Sequence, residues 1–445
     1  SVPIPRACLG FFRGDAVDGS NALRRHINEN VRRDDSPPPV FYNHFFGMRR
    51  DWTVEDHLYE ARVYAELGIE YYVVDAEWHK GDFRVGIGNW EIEDKRRFPD
   101  GMAAFADHVR ALGMKFGSWI EIEWAMANSH WGRKHPDWFA TIPGRYYHYG
   151  GGELQDRLLR VCDPKVRAAV ADFLEQWVEK YGIEWVRWDM NNAPARFWAL
   201  EDPKGQCGWG HLGYGEGLYA LLDEFMRRCP QVHIESCAAG GHRMDLGTLR
   251  RGHSAWMSDK TDTHDVTRRI QTGLNRVLPG CYGNSSFIWA THPLQRSQTL
   301  SALKKDGYPP AALRSRMGGT LGFAENARFF TPAIKETLRQ EIANYKVQRH
   351  LLMKDFYPLF DPRRLAEYDG WQFHDPETGE GFFQVFRCKA PQSQTEVRLR
   401  GLLPGLEYVL RDVDTRRQRN LRGGAAMRIR IADVDGVKWY QYHPA

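Results

Sequence analysis

The sequence predicts an α/β chain: a (β/α)8 TIM barrel followed by a small C-terminal antiparallel β-sandwich. Three observations predict it. From Val40 onward, short β-branched and aromatic runs alternate with amphipathic stretches, and eight such units can be counted before residue 354. Asp75, Trp119, Asp189, Cys237 and Asp259 all fall at the ends of these runs, where such a barrel builds its site. Beyond residue 354 the helical period disappears and β-like runs are separated by turns such as Pro404-Gly405. A length of 445 residues suits one barrel plus one small domain.

Taken in order, residues 1–39 form a lead-in. They hold the run Leu9-Gly10-Phe11-Phe12, a helix over about 21–31, and the breaker Ser36-Pro37-Pro38-Pro39, which fits neither helix interior nor central strand. The barrel is expected over 40–354, with strands near 40–43, 69–75, 115–121, 183–189, 232–237, 254–259, 278–282 and 319–323. Between the first two lies a helix over 53–67, where Val54, Leu58, Ala61 and Ala65 keep helical spacing behind the cap Thr53. A last helix spans about 335–353. The sandwich is expected over 355–445, with strands near 381–388, 396–402, 408–413, 427–431 and 437–442.

Composition narrows the function. A hydrophobic fraction of 42% with 27% charged residues is that of a globular protein, and no apolar run approaches the roughly 18 residues of a membrane span. The formal charge of +4 is spread among nearly equal numbers of acids and bases, so nothing points to nucleic acid. The seven cysteines are odd in number and lack metal-ligand spacing, which suggests a reducing, cytoplasmic compartment and no structural metal. The start Ser1-Val2-Pro3-Ile4-Pro5 reads as no signal sequence, although a chain whose signal had been removed would look the same.

The stretch Ile183-Glu184-Trp185-Val186-Arg187-Trp188-Asp189 alternates with period two and ends in a carboxylate. Side chains two apart share a strand face, so Arg187 and Asp189 point the same way, and a cation beside a carboxylate keeps it ionised. That is what a covalent glycosidase nucleophile needs. Alone, an Arg-x-Asp strand end is more often a structural ion pair.

Two further segments shift the balance: Glu235-Ser236-Cys237-Ala238-Ala239-Gly240-Gly241, and Trp256-Met257-Ser258-Asp259-Lys260-Thr261-Asp262. Together the three resemble glycoside hydrolase family 36, the retaining α-galactosidases, whose members carry a Lys-Trp-Asp-Met-Asn strand end, a Ser-Cys-x-x-Gly-Gly turn and a Trp-x-Ser-Asp-x-x-Asp segment in that order. The resemblance implies Asp189 as nucleophile and Asp259 as acid/base, with Asp262 the alternative donor or a helix cap. Retaining hydrolysis places two such carboxylates about 5 to 5.5 Å apart.

The same resemblance implies a sugar pocket. Asp75 stands where the family has the first of two aspartates that accept from galactose O4 and O6, while Ala76 replaces the second. Trp119, in a segment similar to the family's Gly-Leu-Trp-Phe-Glu-Pro-Glu strand, would stack on the sugar, with Glu121 and Glu123 as structural partners. Arg157 matches a sugar-binding arginine, Arg187 replaces a lysine, and Cys237 and Gly240 keep the turn that accommodates the 2-hydroxyl. No cofactor is implied. Full-length members carry a large N-terminal β-sandwich that helps assemble subunits, and residues 1–39 resemble only its tail, so a homo-oligomer is one arrangement the resemblance allows.

The expected activity is thus retaining, exo-acting cleavage of an α-galactoside or an oligosaccharide carrying one. Ala76 and Arg187 leave open an α-N-acetylgalactosaminide or a modified galactoside, because a forked guanidinium does not replace an ammonium conservatively. Transfer to a sugar acceptor, or a carbohydrate-binding relative without turnover, are the other readings. No role is expected for His242 or His253.

Overall fold

The computed structural model describes residues 7–48, 52–83, 85–142, 155–260, 263–288, 307–361 and 367–445. Eight parallel strands close a barrel: β1 (Phe41–Asn43), β2 (Tyr71–Val74), β3 (Lys115–Ile120), β4 (Trp185–Trp188), β5 (His233–Ser236), β6 (Ser254–Trp256), β7 (Gly283–Phe287) and β8 (Thr320–Phe323). Each strand pairs with its sequence neighbours and β8 pairs with β1, so the sheet has no open edge.

Bulk and its absence alternate inside the barrel. Phe41 and Trp185 stack with ring centroids 4.8 Å apart, and Trp185 stacks on His233 at 3.8 Å. A Cβ on Gly117 would come 2.6 Å from the Trp185 Cβ, and one on Gly322 would come 2.3 Å from the Phe41 ring. Those two glycines admit the two large rings, as close packing demands. Because Trp185 points inward, period two sends Arg187 and then Asp189 to the same side, toward the C-terminal rim.

The helices stop where their caps dictate. Helix α1 (Ala16–Asn30) begins at a capping box of Asp15 and Asp18, and helix α2 (Val54–Leu67) at one of Thr53 and Asp56 before ending on left-handed Gly68. Helices α3 (Met102–Ala111), α4 (Pro164–Tyr181), α5 (Trp209–Arg228), α6 (His264–Asn275) and α7 (Pro332–Gln348) belong to the outer layer. The small sheet Trp124–Met126, Asp156–Leu159 and Phe139–Thr141 is inserted after β3.

The expected seventh strand over 278–282 is corrected. Pro279 leads into a 3-10 turn, Gly280–Tyr282, and the strand is the polar-looking Gly283–Phe287. Asn284, Ser285 and Ser286 are buried there although their composition suggests a loop. Likewise, α1 starts five residues before the expected helix.

Beyond α7 come eight antiparallel strands: β9 (Asp355–Pro358), β10 (Tyr368–His374), β11 (Gly381–Arg387), β12 (Gln394–Arg398), β13 (Glu407–Asp412), β14 (Gln418–Arg422), β15 (Ala426–Arg430) and β16 (Gly436–Pro444). Six form a sheet in the order β9-β10-β11-β16-β13-β14, and β12 pairs with β15. Strands β9, β10 and β14 were not expected. The lead-in is built into this junction: the buried Arg24 guanidinium donates to the carbonyls of Asn275, Leu352 and Lys354, and Asn21 bonds both the amide and the carbonyl of Phe356. Among the described residues no helix is long and apolar enough to cross a membrane.

Candidate active site

Strands β2, β4, β5 and β6 deliver a connected set of polar side chains to the C-terminal rim. Asp189, one residue past β4, is buried. Its Oδ2 accepts from Trp119 Nε1 at 3.0 Å and from Asn191 Nδ2 at 2.9 Å, while its Oδ1 accepts from the Met190 amide at 2.8 Å. Three donors aimed at one carboxylate fix its orientation.

Arg187 does not ion-pair directly with Asp189, contrary to the simplest reading of the shared face. Its Nε lies 3.2 Å from Asp75 Oδ2, one Nη pairs with Glu235, and the other Nη donates to Cys237 Sγ at 3.6 Å. Two carboxylates therefore flank one buried guanidinium. Burial pushes the Asp75 and Glu235 carboxyls up, and Arg187 opposes that in both. Asp75 Oδ2 also accepts from Asn43 Nδ2 at 2.6 Å and its Oδ1 from the Ala76 amide at 2.8 Å.

Cys237 faces Asp189. Burial first, and the Asp189 carboxylate second, raise its thiol well above the ordinary range, so it stays protonated. Glu121 is buried beside the same carboxylate and its acidity is suppressed for the same two reasons in the same order. It accepts from the Asn191 amide and, at 3.2 Å, from Asn191 Nδ2. Glu123 anchors the layer below: it accepts from Trp188 Nε1 at 2.8 Å, from Arg243 at 2.5 and 2.9 Å, and from Tyr214.

Asp259 is exposed, three residues past the end of β6, and its Oδ1 accepts from Trp256 Nε1 at 2.7 Å. The Trp256 ring also carries Arg187, whose guanidinium lies 4.5 Å from the ring centroid, and Phe46 stacks on it at 5.9 Å. Asp189 and Asp259 are therefore joined through Cys237, Arg187 and Trp256. Asp262 lies outside the described residues. Gly240 borders the segment of Asp259: a Cβ there would come 3.7 Å from the Ser258 Cα and 3.9 Å from the Asp259 nitrogen.

Two expected contacts are placed differently. Trp119 is only 1% exposed, with the rings of His79, Phe83 and Trp90 around it, and offers Asp189 its N–H. Arg157 donates to the Gly132 carbonyl at 2.8 Å and among the described residues makes no bond to the cluster, whereas its neighbour Asp156 accepts from Asn192 Nδ2 at 3.2 Å. Sequence reasoning missed Glu235, Asn43, Asn191 and Trp256 as members of the site. A signal existed for Glu235, which lies two residues before Cys237 on the same strand face.

A melibiase family model matches residues 17–355, which covers the barrel. The chain belongs to the melibiase family. Among similar proteins of this family, alpha-galactosidase AgaA of Geobacillus stearothermophilus is 30% identical over 416 residues, covering 91% of this chain and 54% of that protein. Alpha-galactosidase Mel36A of Lactobacillus acidophilus is 26% identical, covering 87% and 52%. The chain thus spans about half the length of the curated relatives it matches. The crystal structure of the glycoside hydrolase family 36 enzyme AgaA superposes with a TM-score of 0.84 at 26% identity, covering 97% of this chain and 59% of that one. Variants of that enzyme have been solved with raffinose and with stachyose.

Proposed function

We propose that this melibiase-family chain carries the catalytic barrel of a retaining, exo-acting α-galactosidase over residues 40–354, with 355–445 as an accessory sheet. The observation that carries the reading is the Asp189 carboxylate held by three donors and linked through Cys237, Arg187 and Trp256 to a second, exposed carboxylate, Asp259. In the first step Asp189 attacks the anomeric carbon as the glycosidic bond breaks, and Asp259 gives its proton to the departing oxygen. In the second, Asp259 takes a proton from water, whose oxygen displaces Asp189 from the same carbon. Two inversions give net retention.

The hydrogen bonds on Asp189 support the nucleophile's role. Trp119 and Asn191 hold one oxygen, leaving in-line attack to a carboxylate that loses little orientational freedom on reaction. The raised thiol of Cys237 suits a neutral neighbour for a sugar hydroxyl, since a thiolate there would repel the nucleophile. Replacing Asp189 with Asn should abolish turnover of an aryl α-galactoside, and unchanged turnover would falsify the assignment.

A second reading is favoured by one observation. Arg187 is engaged by Asp75, Glu235 and Cys237, and Ala76 offers no carboxylate, so the galactose O4 and O6 contacts expected from the family are reduced. The same mechanism on an α-N-acetylgalactosaminide or a modified galactoside fits that pocket. A panel of aryl α-glycosides separates the two: a preference for the substituted sugar supports the second reading, and activity confined to plain galactoside dismisses it.

A further inference from the structure

A cavity of about 220 Å³ opens between the end of α7 and the face of the C-terminal sheet formed by β13, β14 and β16. Just past α7, Arg349 donates to the Pro38 carbonyl at 3.2 Å and to Glu70 at 2.9 Å, residues that precede β1 and β2. The end of α7 therefore lies at the strand entries, at the opposite end of the barrel from Asp189. We propose that this cavity binds the carboxylate of a sugar acid, a uronate met either as a free monosaccharide or as a unit of an acidic glycan. The site goes beyond the galactosidase reading and does not depend on it.

Three strands bring polar side chains into one row. Arg411 stands opposite Gln418 in the β13–β14 register and opposite Gln441 in the β13–β16 register, so the three are neighbours, about 4.8 Å from strand to strand, and all three line the cavity. Leu410, beside Arg411 in the chain, turns the other way into the core of the small domain. Arg411 is exposed, and among the described residues its guanidinium has no ion pair and no hydrogen bond. Other cations around this sheet are answered: Arg314 pairs with Asp414, Arg400 with Asp15 and Lys438 with Asp412. The sole carboxylate lining the cavity among the described residues, Glu380, is taken by His350 at 3.1 Å. One positive charge is left over, with an amide on either side of it.

A buried amide is the second, independent observation. Gln348, 2% exposed, accepts at Oε1 from Trp439 Nε1 at 3.1 Å and from Gln441 Nε2 at 3.4 Å. An indole N–H only donates, so it fixes which end of the amide faces it, and Gln348 Nε2 is left buried without a partner beside the cavity. Charge and size select the ligand. The guanidinium fork fits a planar carboxylate with two parallel bonds, and one free guanidinium balances one negative charge. A phosphate monoester, at about −1.5 to −2, would leave excess negative charge beside Glu380. Amides both donate and accept, which suits ring hydroxyls. The cavity is smaller than the roughly 300 Å³ at which ordinary ligand sites begin, so it takes a single ring. Residues 415–432 hold six arginines and no aspartate or glutamate, so an acidic glycan is drawn toward this edge of the sheet.

The test measures binding by the full chain, without turnover. Sodium glucuronate, sodium galacturonate, the linear trimer of galacturonate and inorganic phosphate are titrated by calorimetry into the wild type, Arg411→Gln and Gln418→Glu. The last places a carboxylate beside Arg411, where it competes for the guanidinium. The proposal expects at least one uronate to bind the wild type and to bind each variant about tenfold more weakly or worse, as loss of a charge-assisted pair demands. Equal affinity per site for monomer and trimer assigns the free sugar acid as the ligand, and a tighter trimer assigns the acidic glycan. Absence of uronate binding in the wild type, or an affinity that is the same in Arg411→Gln, overturns the proposal. Phosphate that binds more tightly than either uronate and is lost in Arg411→Gln overturns the choice of a carboxylate. Should Arg411→Gln fail to fold, Gln418→Glu carries the same comparison.

Discussion

Substituting Arg187 by Met tests the electrostatic core of the site. The guanidinium side chain is 7% exposed and sits between the side chains of Asp75 and Glu235, which are 5% and 0% exposed. Met keeps much of the volume and its contact with Trp256, but leaves two buried carboxylates facing each other with no cation. Breaking one partner of a buried ion network costs about 3 to 5 kcal/mol. The sign of the pH dependence follows from the carboxylates. Burial already raises both above their unfolded values, and removing Arg187 removes the main opposing influence, so both rise further. An acid with a raised folded pKa contributes most stability below its unfolded pKa, and that contribution is lost as pH climbs through the folded value. The variant should therefore lose about 3 to 5 kcal/mol at pH 7.5 and recover a large part of it near pH 5. Urea unfolding followed by near-ultraviolet circular dichroism at both pH values measures this. A loss under about 1 kcal/mol, or the same loss at the two pH values, would refute the claim that Arg187 holds two buried negative charges.

Three other perturbations address the scaffold. Glu60 is buried, its oxygens accept from the Ala327 amide at 3.0 and 3.1 Å, and burial pushes its carboxyl up from the usual 4.5 to about 8. Wild-type stability should therefore fall as pH rises from 4.5 through 8, by about 5 kcal/mol at most. Glu60→Gln cannot ionise and should flatten that slope; an unchanged slope in thermal melts across this range would exclude Glu60 as its source. Gly217 in α5 lies where a Cβ would come 2.2 Å from the Val161 carbonyl oxygen, so Gly217→Ala should destabilise by about 2 kcal/mol despite alanine's better helix propensity, and a stabilised variant would mean that α5 can move freely away from this loop. Thr53→Ala removes the cap of α2 and should cost about 1 kcal/mol in the same melts, with no change meaning that water replaces the cap fully.

The barrel was legible because its strands are short apolar runs bounded by turns and its helices announce their caps. Thr53 and Asp56 mark the start of α2 to the residue. The failures have physical causes. Strand β7 is Gly-Asn-Ser-Ser-Phe, polar in composition yet buried, because pairing with β6 and β8 on its two sides fixes it in the closed barrel. Its apolar neighbour over 278–282 looked more like a strand but is turned by Pro279. Strand β14, Gln-Arg-Asn-Leu-Arg, has a single buried residue and is held by pairing with β13 rather than by its own pattern.

The site divides along the same line. A carboxylate at a strand tip can be found from sequence because period two fixes its direction, which is why Asp189 could be placed on the face of Arg187. Which partner a charge chooses cannot be found that way, because the choice is made across strands. Arg187 is level with Glu235 in the β4–β5 register, and so meets it directly, while the residue two further along the strand meets Trp119 and Asn191 instead. Glu235 thus occupies the guanidinium that a reading confined to one strand would give to Asp189. The consequence is chemical: the proposed nucleophile, Asp189, is oriented by neutral donors rather than by a direct ion pair. Arg187 instead ties the ends of β2, β4 and β5 together through Asp75 and Glu235.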